Sequence, residues 1–471
     1  MQSIKVKLIS TLCIIFGAIL LSLSFKNNIQ AEKLEFTQTK IESSITEQSI
    51  SKNLENLPQN YQDQLKTGLE FVQDHNFRLA ISHFVQANKI DSTQALPFLL
   101  SAESYLQLDK PELAKKNIYA ASFKKNYGLY GKIVELQYYI YNRENQKAVE
   151  LLKSLPNNYA EVQFWHAIYA LNTQDIQTAK EIFENLSISK TNNPYYNSAK
   201  SFSYNLQLFY SFKDSPINFL QTLTAKNLLN ENHTVAARLL NYTSLKQNPA
   251  FRDAWLSLGY SFVKVREYKK ALQTLEKTRK LDPYNADTHL YLGITYYNLK
   301  NFSNALRHLK LAVNFETKHK KLAKEFLAHC QYETNDPNAI DTIKSLIGEN
   351  HITPQLLSNL TQIQLAQNNL EQSATTLQIF KNNFQNHNLY FLNLGHLFYK
   401  TKNYAKSIQN LELSLKINPN SSQAMYLLAL NHKKLDNTQT YSSKLNAALS
   451  LASKTGDKVT YQKILKEIQN D

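Results

Sequence analysis

Apolar residues recur at helical spacing over most of this chain. In residues 252–285, Trp255 and Phe262 belong to one apolar stripe whose members are three or four positions apart, which predicts an amphipathic helix. A second apolar stripe begins at Ala271 and ends before Pro283, because proline lacks the N–H that would continue the helix. This segment therefore predicts two helices joined by a short turn.

Small residues repeat with a fixed period along the chain. Ala80, Ala114 and Ala148 are evenly spaced, with a period of about 34 residues, and the same interval separates Ala237 from Ala271. Four of the nine glycines lie at the same distance in sequence before a small residue of this series. They are Gly68, Gly259, Gly293 and Gly395. Because two residue types share one period, the pattern indicates an internal repeat whose units must stack to bury their apolar faces.

The repeat resembles the tetratricopeptide repeat family. The residues that carry the resemblance are Trp255, Leu258, Gly259, Phe262, Ala271, Leu275 and Pro283. The resemblance implies an all-α fold, an α-solenoid of about eleven antiparallel helix-turn-helix repeats forming a right-handed superhelix. We expect an apolar helix at the N-terminus to precede it.

The phase of the repeat breaks once. The interval from Ala179 to Ala237 is longer than one period and shorter than two, so an extra segment must lie between them. The predicted organisation is an N-terminal array at 61–193, an inserted helix and possible hinge at 194–217, a C-terminal array at 218–455 and a capping helix at 456–471.

Residues 1–31 look like an export signal. Lys5 and Lys7 precede an apolar run at 8–25, which predicts either a single-pass transmembrane anchor with a cytoplasmic N-terminus or a signal peptide cleaved near Ala31. Residues 32–60 are polar and predict a linker. Both alternatives predict an extracytoplasmic location for the repeats, and the Lys-, Asn- and Ile-rich composition fits an AT-rich bacterium.

Composition and motifs argue against an enzyme. The chain has no GxSxG, HExxH, CxxC or GxGxxG motif, and its two cysteines cannot form a disulfide framework. Glu325, His329 and Glu333 share a helix face, but we interpret them as a solvated face with ion pairing. We expect Cys330 to be a buried core thiol. The sequence thus predicts no catalytic residues, no cofactor and no metal.

The resemblance implies that the first helices of successive repeats line a concave groove that binds extended peptides or partner helices. Tyrosine suits such a surface because it has a large apolar face and a polar tip. Carried over by phase, the predicted groove residues are Tyr130, Tyr141, Trp165, Tyr260, Lys264, Tyr291, Tyr297, Asn298, His396, Tyr399 and Lys400.

The predicted function is a non-catalytic protein-interaction scaffold of the cell envelope. The alternative rests on charge: 53 Lys+Arg against 38 Asp+Glu give a net charge of +15. Basic faces around residues 252–319 would then bind an anionic envelope polymer or a membrane surface. We expect no nucleic-acid partner, because no base-reading pair of residues recurs from repeat to repeat.

Overall fold

The computed structural model describes residues 57–188, 190, 193–212 and 216–470. This part of the chain contains 24 α-helices and no β-strand. The helices form two compact units, which divide between Pro283 and Tyr284 and are named unit 1 and unit 2. The prediction of an all-α helical repeat solenoid is confirmed.

Unit 1 contains thirteen of the described helices. Their bounds are α1 Gln59–Gln73, α2 Phe77–Ile90, α3 Leu96–Gln107, α4 Pro111–Ser122, α5 Gly128–Tyr141, α6 Asn145–Ser154, α7 Ala160–Asn172, α8 Ile176–Leu186, α9 Tyr196–Ser211, α10 Ile217–Asn230, α11 Thr234–Gln247, α12 Arg252–Lys264 and α13 Tyr268–Leu281. Helix α9 lies inside the predicted insertion at 194–217.

Unit 2 contains eleven of the described helices. Their bounds are α14 Ala286–Asn298, α15 Phe302–Asn314, α16 Lys320–Glu333, α17 Ala339–Gly348, α18 Pro354–Ala366, α19 Leu370–Phe384, α20 Asn388–Lys400, α21 Tyr404–Ile417, α22 Ser422–Lys434, α23 Thr438–Thr455 and α24 Lys458–Asn470. Consecutive helices pack as hairpins, and the first helices of neighbouring repeats also contact one another.

The phased glycines lie where the two helices of a repeat approach most closely. A Cβ atom added to Gly259 would lie 2.5 Å from Leu275 Cδ2, and one added to Gly293 would lie 2.5 Å from Leu309 Cγ. A Cβ atom added to Gly395 would lie 2.8 Å from Leu411 Cγ. These distances are too short for a real Cβ contact, so glycine at this position allows the two helices of a repeat to approach closely.

The turn inside each repeat also follows the period. Lys300 and Lys402 adopt the left-handed conformation, with φ of 61° and 60°, and in each case the next residue caps the second helix. The caps are Asn301, whose side chain accepts from Asn304 N–H, and Asn403, whose side chain accepts from Lys406 N–H. Non-glycine residues therefore sustain a turn for which glycine is the usual choice.

Unit 1 folds back so that α11 packs against its first repeats. Helix α11 contacts α3, α5 and α7, which are the first helices of three successive repeats. Arg238 of α11 is fully buried, and its guanidinium donates to the carbonyl oxygens of Leu106 at 3.1 Å and Gln107 at 3.0 Å. These oxygens belong to the C-terminal end of α3, where the helix dipole favours a cation.

The rest of the Arg238 environment keeps the side chain charged. The guanidinium lies 4.8 Å from the centre of the Phe262 ring and 3.5 Å from Tyr141 Oη. Burial by itself would lower the pKa of Arg238, but Tyr141, Tyr242 and nearby Asp109 act against burial and the pKa is raised. The interior of unit 1 therefore holds a desolvated cation that joins α3, α5, α11 and α12.

Two further contacts close unit 1 at its rim. Arg78 of α2 forms a salt bridge with Glu267, which lies between α12 and α13. Lys270 of α13 binds the Asp109 carboxylate at 2.7 Å. Both pairs join residues that are far apart in the sequence, so the beginning and the end of unit 1 lie side by side.

The predicted membrane anchor is not supported. Within the described residues, the helices all fall short of the length and apolarity that a membrane span requires. This corrects the prediction of a single-pass membrane anchor. The apolar run at 8–25, the cleavage position at Ala31 and most of the linker at 32–60 lie outside the described residues.

The Arg238→Met substitution tests the closure of unit 1. It keeps an unbranched side chain but removes the guanidinium, which leaves the Leu106 and Gln107 carbonyl oxygens without their donor, so we expect the free energy of unfolding to fall by at least about 2 kcal/mol. Trp165 and Trp255, the two tryptophans of the chain, both lie in unit 1, so tryptophan fluorescence during urea denaturation follows this unit.

Lys180→Met is the matched control. The side chains of Lys180 and its partner Glu184 on α8 are 41% and 51% exposed, and such pairs contribute less than about 1 kcal/mol. An equal loss of stability in the two variants would contradict the role given to Arg238.

Candidate functional site

The predicted groove residues of the first four repeats are buried inside unit 1. Tyr130, Tyr141 and Trp165 are 2%, 8% and 5% exposed. Tyr130 Oη donates to Glu103 at 2.5 Å, and Tyr141 Oη donates to Asp109 at 2.7 Å. Helix α11 packs against α5 and α7, and the three side chains are buried within unit 1.

A cavity of about 260 Å³ remains next to α11. Trp165 is in its wall and packs edge to face with Phe164, with ring centres 5.6 Å apart. Glu103 also lines the cavity, and Gln137 donates to its other carboxylate oxygen at 3.0 Å. The closure of unit 1 thus converts part of a predicted open groove into an internal cavity.

Tyr260 and Lys264 lie on α12 and are half-buried. Lys264 Nζ donates to the Leu229 carbonyl at 2.5 Å and to Asn232 Oδ1 at 2.7 Å. Its ammonium also lies 5.9 Å from the centre of the Tyr260 ring. Burial lowers the pKa of Lys264.

The basic residues near Lys264 include several that bind groups of unit 1. Arg266 donates to the Asp74 carbonyl at 3.1 Å, and Lys270 binds Asp109. These cations therefore have structural roles, which weakens the argument from charge for a polymer-binding surface. In unit 2, Arg307 and Lys310 of α15 are both exposed.

The remaining predicted groove residues lie in unit 2 on first helices of repeats. Tyr291, Tyr297 and Asn298 are half-buried on α14. The Tyr297 ring packs edge to face with Phe326 of α16, with ring centres 5.5 Å apart. Asn298 donates to the Ile294 carbonyl of its own helix at 2.8 Å.

Polar side chains continue this face on α18 and α20. His396 Nδ1 lies 3.1 Å from Gln362 Oε1, and Gln362 Nε2 donates to Asn393 Oδ1 at 2.6 Å. Burial, with Lys400 and Lys463 nearby, lowers the pKa of His396 to about 4. The imidazole is therefore neutral at neutral pH. Because the Gln362 oxygen can only accept, Nδ1 carries the proton and Nε2 is an acceptor.

Tyr399 and Lys400 end α20 on the same face. Tyr399 is half-buried and its ring centre is 6.0 Å from that of Tyr404, whereas Lys400 is exposed. We name the set Tyr291, Tyr297, Asn298, His396, Tyr399 and Lys400 the first-helix face of unit 2.

Glu325 of α16 joins two repeats. His351 Nε2 lies 2.9 Å from its carboxylate, Thr353 donates to it at 3.0 Å and His329 Nε2 lies 3.6 Å away. Burial opposes the ionised form, but hydrogen bonds from His329, His351 and Thr353 lower the pKa of Glu325 from 4.5 to about 2.

Cys330, the neighbour of His329 on α16, is fully buried, as the sequence predicts. Burial raises the pKa of its thiol to about 12. Cys330 therefore contributes to the packing of the core.

The comparisons with known proteins identify the repeats. Residues 256–318 and residues 390–421 match two models of the tetratricopeptide repeat. The prediction of such repeats is therefore confirmed over these segments. Proteins of this fold are in general non-catalytic scaffolds for protein interactions.

Similar solved structures have low sequence identity to the chain. The APC/C hetero-tetramer Cut9–Hcn1 is 15% identical, with 90% of this chain and 93% of that chain covered and a TM-score of 0.37. Yeast Tom70 is 13% identical, with coverages of 87% and 96% and a TM-score of 0.33. A tetratricopeptide repeat protein from Parabacteroides merdae is 12% identical, with coverages of 58% and 98% and a TM-score of 0.35.

The Glu325→Gln substitution tests the electrostatics of unit 2. Since the folded-state pKa is depressed, the ionised carboxylate stabilises the fold above pH 4.5, and this contribution is lost as the pH falls towards 2. We expect the variant to lose roughly 1–3 kcal/mol of unfolding free energy at neutral pH. The loss should shrink in acid, as measured by urea denaturation over a pH series.

Glu412→Gln, on an exposed position of α21, is the control and should match the wild-type protein throughout. A deficit in Glu325→Gln that stays constant from neutral pH into acid would contradict the assignment.

Proposed function

We propose that this chain, which carries tetratricopeptide repeats, is a non-catalytic scaffold that binds an extended segment of a partner protein on the first-helix face of unit 2. The observation that supports this most directly is the contrast in burial between the predicted groove residues. Those on α5 and α7 are buried by α11, whereas those on α14 and α20 keep exposed surface.

Largely buried side chains between α14 and α20 form a row of contacts beneath the exposed residues of this face, which supports a single extended binding surface. The Tyr297 and His329 rings have centres 6.2 Å apart, and His329 Nδ1 lies 3.2 Å from Asn359 Nδ2. Gln362, on the same helix as Asn359, binds both Asn393 and His396 of α20. The row is therefore fixed before a partner arrives, which limits the entropy cost of binding.

The chemistry of the face favours a partner segment with backbone donors and acidic side chains. His396 Nε2 offers an acceptor to a peptide N–H, and Lys400 is an exposed cation beside it. Tyr297 and Tyr399 offer apolar ring surface with polar tips. The sequence-based prediction of a cell-envelope partner rested on the membrane anchor, so the proposal does not include it.

Selection of peptides from a random display library tests the face. Peptides that bind the wild-type protein should lose about tenfold or more in affinity to Tyr399→Ala, because an aromatic anchor contributes over about 1 kcal/mol. Lys400→Glu, a change at an exposed position, should weaken the same peptides and reduce their salt dependence. Fluorescence anisotropy of labelled peptides measures both effects.

Tyr284→Ala is the matched control, since Tyr284 is 75% exposed and lies outside the first-helix face. Retention of full affinity in both Tyr399→Ala and Lys400→Glu would contradict the proposal. Equal losses in Tyr284→Ala would also contradict it.

A further inference from the structure

The internal cavity of unit 1 is formed by side chains from widely separated parts of the sequence. Its wall includes Leu69 and Val72 of α1, Glu103 of α3 and Val235 of α11, together with the aromatic residues described below. Asn232, also in the wall, is exposed, so the cavity reaches the surface beside the turn between α10 and α11. At about 260 Å³ it is larger than the roughly 150 Å³ of a protein cavity that holds benzene.

The cavity contains a carboxylate whose charge the surrounding groups leave uncompensated. Burial raises the pKa of Glu103, while hydrogen bonds from Tyr130 and Gln137 act in the opposite direction. The remaining influence is Glu161, a buried carboxylate, which raises the pKa of the half-buried Glu103 further. No cationic side chain is among the groups that act on the pKa of Glu103, so a positively charged ligand would stabilise its ionised form.

Two further polar atoms beside the cavity lack hydrogen-bond partners among the described residues. They are His233 Nε2 and Gln107 Oε1, and both residues line the cavity. Burial, and then Lys264, lower the pKa of His233 to about 4, so this imidazole is neutral at neutral pH. Gln107 Oε1 can only accept a hydrogen bond. Gln107 Oε1 is therefore an acceptor for a ligand that carries N–H donors, and the neutral His233 ring donates or accepts at Nε2 according to its tautomer.

Aromatic rings form another part of the wall. Phe164 and Tyr195 stack with ring centres 4.1 Å apart, and His233 lies 5.0 Å from Phe164. Trp165 and Phe77 complete this aromatic surface. Ring faces attract cations and also pack against flat apolar groups.

We propose that the cavity of unit 1 binds a small organic ammonium ion that carries an aromatic or similarly flat apolar group. The ammonium donates to the Glu103 carboxylate, and the apolar group packs against Phe164, Trp165 and Tyr195. The charge-assisted hydrogen bond supplies specificity, because it forms where water is largely excluded. This site is separate from the first-helix face of unit 2 and does not depend on peptide binding there.

The wall also argues against an anionic ligand. Glu103 and Glu161 would repel a carboxylate or phosphate in the interior. Lys264, the cation beside His233, already donates to Leu229 and Asn232. A neutral ligand would fill the volume but would bring no positive charge to Glu103.

The test uses three probes of similar shape: benzylamine, benzyl alcohol and benzoate. In a Trp255→Phe background, Trp165 is the single tryptophan and reports on the cavity through its fluorescence. We expect saturable binding of benzylamine at neutral pH, with an affinity about tenfold or more above that of benzyl alcohol, and no binding of benzoate.

Glu103→Gln should weaken benzylamine about tenfold or more and leave benzyl alcohol unchanged. Glu135→Gln is the matched control, because Glu135 likewise accepts two side-chain hydrogen bonds, from Tyr127 and Tyr139, but does not line this cavity. Should Glu103→Gln fail to fold, Gln107→Leu provides the second variant, since it removes an acceptor of the wall and should weaken benzylamine more than benzyl alcohol.

Equal binding of all three probes, or unchanged benzylamine affinity in a folded Glu103→Gln protein, would overturn the proposal. Absence of a saturable benzylamine signal in the Trp255→Phe protein would overturn it as well.

Discussion

The buried guanidinium of Arg238 is the interaction on which the arrangement of unit 1 depends. It donates to the last carbonyl oxygens of α3 and lies over the ring of Phe262, which belongs to a helix much later in the chain. A desolvated cation is stable only with such partners. Arg238 therefore holds α11 and α12, near the end of unit 1, against α3, near its beginning.

This closure gives the two units different surfaces. In unit 1, the first helices of the early repeats pack against α11, and what is left of their groove is a cavity with an acidic, aromatic wall. In unit 2, the corresponding helices carry a row of hydrogen-bonded polar side chains with partly exposed tyrosine and exposed lysine at its ends. One repeat architecture thus supports two distinct proposals for binding.

The helices themselves could be predicted from the sequence because each repeat is a local structure. The phased glycines and alanines mark the closest helix contacts, and Gly259 against Leu275 shows why the position is small. The left-handed turn residues were not predicted, because Lys300 and Lys402 are not the residue types that usually adopt this conformation. Their position before a capping asparagine is the signal that could have located them.

The closure of unit 1 could not be derived from local patterns, since it joins residues far apart in sequence. One signal was nevertheless present: Arg238 occupies the repeat position at which the next repeats carry Leu272, Leu306 and Ile340. A charged residue in an apolar series indicates a special partner. For the same reason Tyr130, Tyr141 and Trp165 could be placed on the first helices, while their burial by α11 could not be foreseen.

Chemical cross-linking across the rim of unit 1 tests this closure most directly. Cysteines placed at Arg78 and Glu267, in a background where Cys13 and Cys330 are replaced by alanine, should be joined within one molecule by a short bismaleimide reagent. We expect an efficient intramolecular cross-link in dilute protein, with a lower yield when Arg238 is replaced by methionine. A folded protein that gives no cross-link, or only links between molecules, would contradict it.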